Sequence, residues 1–229
     1  MRMAVIETSS RTGGVGLAED GQVVAEREVL GGVPRGNDLV CALDAATREI
    51  GWSAREIELL ALSIGPGSFT GLRIAVMFAR AFAWQTGARI VTAATLRAIA
   101  ENAPREEPLV GVVTDAQRGG VYWAAYARGS DGSLARTAAE CVGEAEEAAR
   151  QLAAEAFLMG DGLNRGGAFF AGRRQAGAAL WAPRLAVVAA LGWARHLSGE
   201  HAAPETLEPL YVRRPAPEEV WERRRRGGR

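Results

Sequence analysis

Short apolar runs separated by turn residues open the chain and predict three antiparallel strands. Between Met3 and Val29 the runs are MAVIET, GVGLA and QVVAEREV. The pair Asp20-Gly21 separates the second run from the third, and Asp-Gly is typical of a tight hairpin turn. This pattern predicts a three-stranded meander at the start of the protein.

The same pattern recurs about halfway along the chain. There the runs are LVGVVTD, GVYWAAYA and SLARTAAEC, with Asp131-Gly132 at the second turn. In both copies the first strand ends in a carboxylate, which is Glu7 in the first copy and Asp115 in the second. Self-similarity at this long period predicts two lobes of one duplicated design.

Helical and strand-like segments follow each meander. The first half continues with a helix in NDLVCALDAATREIG, a buried strand in IELLALSIG, a second helix in LRIAVMFARAFAWQTG and a strand in ARIVTA. The second half continues with a helix in GEAEEAARQLAAE, a strand in AFLMGDG and a helix in RLAVVAALGWARHLSG. This alternation predicts an α/β protein in which each lobe is a mixed sheet flanked by helices. We expect the lobes to span residues 1–104 and 105–212, and the Arg-rich tail, residues 213–229, to be disordered.

The helix that follows GPGSFTG is apolar on two sides. We expect Thr70 to cap it and Gly87 to end it. At 100° per residue, one side carries Ala75, Phe78 and Phe82, which should pack on the sheet as core. The opposite side carries Arg73, Val76, Met77, Arg80 and Trp84. An apolar surface rimmed by arginine favours a protein interface, with the arginines pairing with acidic groups of the partner. Burial by another part of the same chain, such as the second lobe, is the alternative.

The glycines of GPGSFTG admit two interpretations. Glycines between a strand and a helix let backbone amides approach a phosphate. However, the spacing fits neither GxGxxG nor GxxxxGK[ST], and the chain has no lysine to reach a terminal phosphate. The pattern therefore favours a strand-to-helix turn in which Ser68 or Thr70 caps the free amides.

Composition excludes several classes of chemistry. The 229 residues include 27 basic residues, all arginine, and 27 acidic residues, so no net charge attracts nucleic acid or a membrane. Schiff-base and lysine-base mechanisms are excluded. The chain has two histidines, His196 and His201, and two cysteines, and it contains neither HExxH nor CxxC. We expect no metal site, no membrane association and a cytoplasmic location.

Four motifs carry a family resemblance. AVIETSS, GPGSFTGLRI, DAQRGGVYWAAY and LEPLYVRR resemble the TsaB (YeaZ) family of tRNA threonylcarbamoyladenosine biosynthesis proteins. The resemblance implies the ASKHA fold of acetate and sugar kinases, Hsc70 and actin, with two duplicated RNase H-like lobes. It also implies a non-catalytic relative of the enzyme TsaD that binds TsaD. With the ATPase TsaE, it would support transfer of threonylcarbamoyl to the tRNA adenosine adjacent to the anticodon.

The resemblance further implies which residues act. The family forms homodimers through the helix that begins here at about Thr70, which gives the expected partner or dimer interface as Phe69, Thr70, Arg73, Val76, Met77, Arg80 and Trp84. No cofactor would be bound tightly, because the complex would use ATP and magnesium through the partners, and tRNA would be met only within the complex. No residue is expected to be catalytic.

Glu7 and Asp115 are possible vestigial nucleotide or metal contacts. The family's first strand usually ends in Asp, whereas Glu7 is one methylene longer, which would misplace a metal-bound water. The alternative interpretation is that each carboxylate serves the turn of its own lobe. Two other functions stay open: an ATP-dependent phosphotransferase, which the fold permits, and a metallopeptidase, which only the old family name suggests and which the absence of paired histidines on any helix contradicts.

Overall fold

A computed structural model describes residues 1–29 and 36–212 of the chain. The Arg-rich tail from residue 213 onward lies outside the described residues, and so does the expectation made for it. Within the described residues the strands form two mixed sheets, with helices packed against them. The expected fold class is therefore confirmed.

The first sheet has the strand order β3-β2-β1-β4-β5. Its strands are β1 (Arg2–Glu7), β2 (Gly14–Glu19), β3 (Gln22–Glu28), β4 (Leu59–Ser63) and β5 (Arg89–Ala93). The meander β1-β2-β3 is antiparallel, as its hairpin turns predict, while β4 and β5 run parallel to β1. Because β1 and β4 are parallel neighbours, Glu7 and Ser63 both lie at the carboxyl edge of the sheet.

The second sheet repeats this arrangement with one strand fewer on the parallel side. Its strands are β6 (Leu109–Asp115), β7 (Val121–Arg128), β8 (Leu134–Arg136), β9 (Cys141–Gly143) and β10 (Phe157–Met159). The order β8-β7-β6-β10 matches β3-β2-β1-β4, and β10 is parallel to β6 as β4 is to β1. The duplication read from the two meanders is thus visible in the strand order, and Glu7 and Asp115 occupy equivalent strand ends.

Two helices cover one face of the first sheet. They are α1 (Gly36–Glu49) and α2 (Phe69–Thr86). Leu39 and Leu43 of α1 and Ala75 and Ala79 of α2 share a core with the β1 and β4 side chains that point to this face. Helix α2 ends at Gly87 as expected, but its N-cap is Ser68, whose hydroxyl accepts a hydrogen bond from the Gly71 amide at 3.2 Å. Thr70 is therefore not the cap.

The remaining helices are α3 (Thr95–Ala100), α4 (Ala145–Gln151), α5 (Gly162–Arg165) and α6 (Leu185–Leu197). Helix α3 packs on one face of the second sheet, and α4 and α5 pack on the other. Helix α6 falls in the part of the chain expected to form the second lobe, yet its Val188 and Ala189 pack on Ala61 and Val91 of the first sheet. Among the described residues, no helix has the length and apolar character needed to cross a bilayer.

Candidate functional site: the exposed face of helix α2

Helix α2 buries one side and exposes the other. The buried stripe consists mostly of small residues, namely Gly71, Leu72, Ala75, Val76, Ala79 and Ala83. On the opposite side Met77 is 64% exposed, Trp84 is 83% exposed and Phe69 is 39% exposed. Thr70 and Arg73 are exposed on the same side. We call Phe69, Thr70, Arg73, Met77 and Trp84 the α2 face.

Val76 does not belong to this face. It is only 4% exposed and lies in the core of the first lobe, so its assignment to the interface is wrong. Val76 lies at helical spacing from Leu72 and Ala79, on the side of α2 that packs against the sheet. Phe78 and Phe82, which the helical pattern assigned to the core, are partly buried at its edge, where their rings stack with centroids 5.8 Å apart.

A later segment of the same chain binds both arginines of the expected interface. Residues 201–212, which we call the C-terminal strap, run from the end of α6 to α2. Arg73 Nε donates to the Tyr211 hydroxyl at 3.2 Å, and Arg80 donates to the Glu205 carbonyl at 3.1 Å. Both acceptors are uncharged, so these bonds orient the guanidinium groups without neutralising them. Pairing with acidic groups of a partner stays a prediction.

An apolar groove between α1 and α2 extends the α2 face. It is lined by Val40 of α1 and by Ile74, Met77, Phe78 and Ala81 of α2, with Phe69, Thr70 and Arg73 at one end. The Arg73 guanidinium lies 4.3 Å above the Phe69 ring, and the Tyr211 ring lies 5.5 Å from Phe69 on centroids. These contacts hold the end of the groove in one arrangement. The result is an exposed apolar surface, fixed in shape and bordered by positive charge.

The GPGSFTG loop holds α2 against the first hairpin. A Cβ on Gly67 would overlap the Ser9 carbonyl oxygen, and a Cβ on Gly71 would overlap the Thr8 carbonyl oxygen. Two hydrogen bonds join the same segments: the Ser68 amide to the Ser9 carbonyl at 2.8 Å and the Thr8 hydroxyl to the Gly71 carbonyl at 2.8 Å. The glycines thus permit close backbone packing, as the strand-to-helix interpretation requires, and they fix where α2 begins.

Glu7 is buried, and the turn that follows it supplies its hydrogen bonds. Its Oε1 accepts hydrogen bonds from the amides of Ser9 and Ser10, at 2.7 and 3.1 Å, and from the Ser9 hydroxyl. Its Oε2 and the nearby Ser63 hydroxyl are buried without a partner in hydrogen-bond geometry. Burial raises the pKa of Glu7, and the proximity of the Ser63 hydroxyl and the hydrogen bonds from Ser9 and Ser10 only partly oppose that shift. Turn amides of this kind are the groups that bind phosphate elsewhere, and here the Glu7 carboxylate takes them.

Asp115 is engaged by a different set of partners. Arg165 of α5 binds both of its oxygens at 2.9 Å, and one of these oxygens also accepts from the Gln117 amide at 2.7 Å. Partial burial acts to raise the pKa of Asp115, but Arg165 and the Gln117 amide outweigh it and hold that pKa below its ordinary value. Arg11, from the first hairpin, contributes in the same direction. The turns after β1 and β6 therefore face each other, and each carboxylate is held within its own lobe.

Sequence reasoning missed the residues that act over long separations. Tyr211 and Glu205 are 138 and 125 residues from the arginines that they bind, and Arg165 is 50 residues from Asp115. Helical or strand periodicity carries no signal for such pairs. One signal did exist: Tyr211 lies within LEPLYVRR, a motif that already carried the family resemblance.

Comparison with known proteins places these features in a family. The family model described as "TsaD: tRNA N6-adenosine threonylcarbamoyltransferase" matches residues 37–167, more than half of the chain. The "tRNA threonylcarbamoyladenosine biosynthesis protein TsaB" of Escherichia coli (strain K12) is 33% identical over 71% of this chain and 72% of its own length. An uncharacterized protein of Mycobacterium tuberculosis (strain H37Rv) is 30% identical over 91% of this chain and 89% of its own length.

A solved structure shares the fold. YeaZ from Pseudomonas aeruginosa superposes with a TM-score of 0.78, covers 92% of this chain and 99% of its own, and is 23% identical. The expected fold, two lobes that each consist of a mixed sheet flanked by helices, is thus shared with a solved YeaZ structure. From the sequence matches and the family model together, the chain belongs to the TsaB/YeaZ family.

Proposed function

We propose that this protein is a non-catalytic scaffold subunit in tRNA threonylcarbamoyladenosine biosynthesis. In this proposal it binds a TsaD enzyme through the α2 face and, with TsaE, supports transfer of threonylcarbamoyl to the adenosine adjacent to the anticodon. ATP and magnesium act through the partners, tRNA is bound by the assembled complex in the cytoplasm, and the isolated chain forms a homodimer through the same face.

The observation that carries the proposal is the exposure of the α2 face. Large apolar side chains are rarely left this open beside one another on a protein that acts alone. Met77 and Trp84 lie two turns apart on the same side of the helix, and the groove toward α1 continues the apolar surface. Arginine and exposed aromatic residues beside apolar side chains are the composition that protein interfaces favour.

The surroundings of Glu7 support the absence of catalysis. A carboxylate that positions a metal or a general base needs a free oxygen directed at the substrate. Here one oxygen of Glu7 is saturated by its own turn, and the other is buried against Ser63. Asp115, the equivalent group of the second lobe, is held by two bonds from Arg165. Both carboxylates that a phosphotransferase would use are thus engaged by contacts within their own lobes, and Glu7 Oε2, which has no partner, is buried.

Reconstitution tests the proposal. We expect tRNA modification by the cognate TsaD and TsaE to require this chain, and Met77→Glu to behave like omission, because a partner would have to bury the new charge. Phe169→Glu is the matched control, since Phe169 is also an exposed apolar residue, at 52%, but lies on the second lobe. Sedimentation of Met77→Glu with TsaD would show whether binding is the step that fails.

Two outcomes would overturn the proposal. Modification that proceeds at the full rate without this chain would exclude the scaffold role. ATP hydrolysis by the isolated chain that is lost in Glu7→Gln or Asp115→Asn would favour the phosphotransferase instead.

A further inference from the structure

The two histidines of the chain meet on its surface. A hydrogen bond of 2.9 Å joins His196 Nδ1 and His201 Nε2, and the ring centroids are 5.1 Å apart. The chain contains no other histidine. Helical periodicity does not pair them, because a separation of five residues does not align two side chains on a helix.

A helix C-cap brings His201 back to His196. Helix α6 ends with Gly199 in the left-handed conformation, at φ 76°. The Gly199 amide donates to the His196 carbonyl at 3.0 Å, and the Glu200 amide donates to the Arg195 carbonyl at 3.0 Å. These two bonds are the Schellman pattern, which reverses the chain over the last turn of a helix.

Neighbouring groups contact the His196 ring and anchor the backbone beside His201. The Trp193 ring lies 5.2 Å from the His196 ring and within 27° of parallel to it. After His201, the Ala202 amide donates to the Ile90 carbonyl of β5 at 2.8 Å, which ties the start of the C-terminal strap to the first sheet. The fold therefore brings the two rings together before any ligand binds.

An ion pair and a helix end border the two histidines. Arg195 forms an ion pair with Glu200 at 3.2 Å beside the site. The carboxyl end of a helix carries partial negative charge, which favours a cation at this end of α6.

We propose that His196 Nδ1 and His201 Nε2 chelate one divalent transition-metal ion with a preference for square-planar geometry, Cu(II) foremost. Imidazole nitrogens lie about 2.0–2.1 Å from such an ion, so two nitrogens in adjacent square-planar positions lie about 2.9 Å apart. Among the divalent first-row ions, Cu(II) binds nitrogen ligands most tightly. The described residues hold no group of three or more metal-ligating His, Cys, Asp or Glu side chains, so water fills the remaining positions.

Metal binding here would fasten the C-terminal strap. The strap begins at His201 and ends on α2, where Glu205 and Tyr211 bind Arg80 and Arg73. An ion shared by His196 and His201 would join the first residue of the strap to α6. Because the link involves only residues of this chain, the metal-binding proposal can be tested independently of the scaffold function.

Titration of untagged protein with copper(II), nickel(II) and zinc(II) chloride tests the proposal. Cys41→Ser/Cys141→Ser serves as the background, because both cysteines are free and Cys41 is exposed. We expect one equivalent of copper to bind, and His196→Gln and His201→Gln each to weaken its binding by about tenfold or more, since loss of even an outer-shell partner costs about 10–100-fold. Thermal melts of the variants with a chelator present would confirm that they are folded.

Electron paramagnetic resonance of the copper-loaded background protein gives a second readout that does not depend on a variant. We expect the spectrum of an axial Cu(II) site coupled to two imidazole nitrogens. A spectrum without two nitrogen couplings, or equal copper affinity in the background protein and in both folded histidine variants, would overturn the proposal.

Discussion

Gly71 lies so close to the backbone of Thr8 that no side chain fits between the first turn of α2 and the residue that follows β1. The Thr8 hydroxyl donates to the Gly71 carbonyl at 2.8 Å, and the Thr8 carbonyl occupies the space that a Gly71 side chain would need. The last glycine of the GPGSFTG motif is thus explained by contact between two backbones. Its task is to place the helix that carries the α2 face.

Gly71→Ala should therefore destabilise the protein despite its helical position. Alanine gains about 1 kcal/mol of helix propensity over glycine. Overlap with a backbone carbonyl that cannot rotate away costs on the order of 3 kcal/mol or more, so we expect a net loss of about 2 kcal/mol in urea denaturation. Gly177→Ala is the control, because a methyl group at Gly177 would meet no other atom within 4 Å. Equal stability of the two variants would contradict the close approach.

Val76 and Met77 are adjacent but should respond in opposite ways to alanine. Val76→Ala removes buried methyl groups and should lower the free energy of unfolding by about 2 kcal/mol. Met77→Ala should change it by less than about 0.5 kcal/mol, because the side chain is exposed. Association with a partner should weaken in Met77→Ala. Thermal melts and sedimentation of both variants separate the two effects, and a destabilised Met77→Ala monomer would mean that this side chain is internal.

Glu7→Gln should stabilise the protein increasingly as the pH rises. Since the folded-state pKa of Glu7 is raised, the contribution of this group is fully present below its ordinary pKa and is lost as the pH rises through the folded-state pKa. Glutamine can still accept the Ser9 and Ser10 bonds but does not ionise. Urea denaturation from about pH 4 to about pH 8 should show that the free energy of unfolding of the variant rises relative to that of the native protein. A difference that does not depend on pH would show that Glu7 ionises normally.

Asp115→Asn should show the opposite pH dependence. The pKa of Asp115 is lowered in the folded state, so its contribution is present above its ordinary pKa and is lost as the pH falls. The Arg165 pair is partly exposed, and we expect the variant to lose about 1 kcal/mol at neutral pH and low salt. The loss should shrink in acid and in high salt. A loss that persists in acid would point to packing instead of charge.

Periodicity predicted the parts of the fold that depend on neighbours in sequence. Alternation and Asp-Gly turns predicted both meanders, and the carboxylates at Glu7 and Asp115 marked equivalent strand ends. The exposed positions Met77 and Trp84 followed from the apolar pattern of one helix. These features are local, so one segment carries enough information to specify them.

The direction of α2 was harder to read because residue size misleads. Large aromatic side chains suggested that Phe78 and Phe82 mark the buried side. In the structure the stripe of small residues that includes Ala75 and Ala79 faces the sheet, since small side chains allow the closest approach. Phe78 and Phe82 lie at the edge of the core, and Val76 lies within it. The long-range partners of Arg73 and Arg80 left no periodic trace at all.

Helix α6 has a consequence for the order in which the protein can assemble on the ribosome. The sheet face that holds Ala61 and Val91 is covered by Val188 and Ala189, which are synthesised more than ninety residues later. Until then the nascent first lobe has one bare apolar face, and such faces are prone to aggregation. The two lobes therefore cannot mature one after the other as independent units, and the first becomes complete only when α6 has been made.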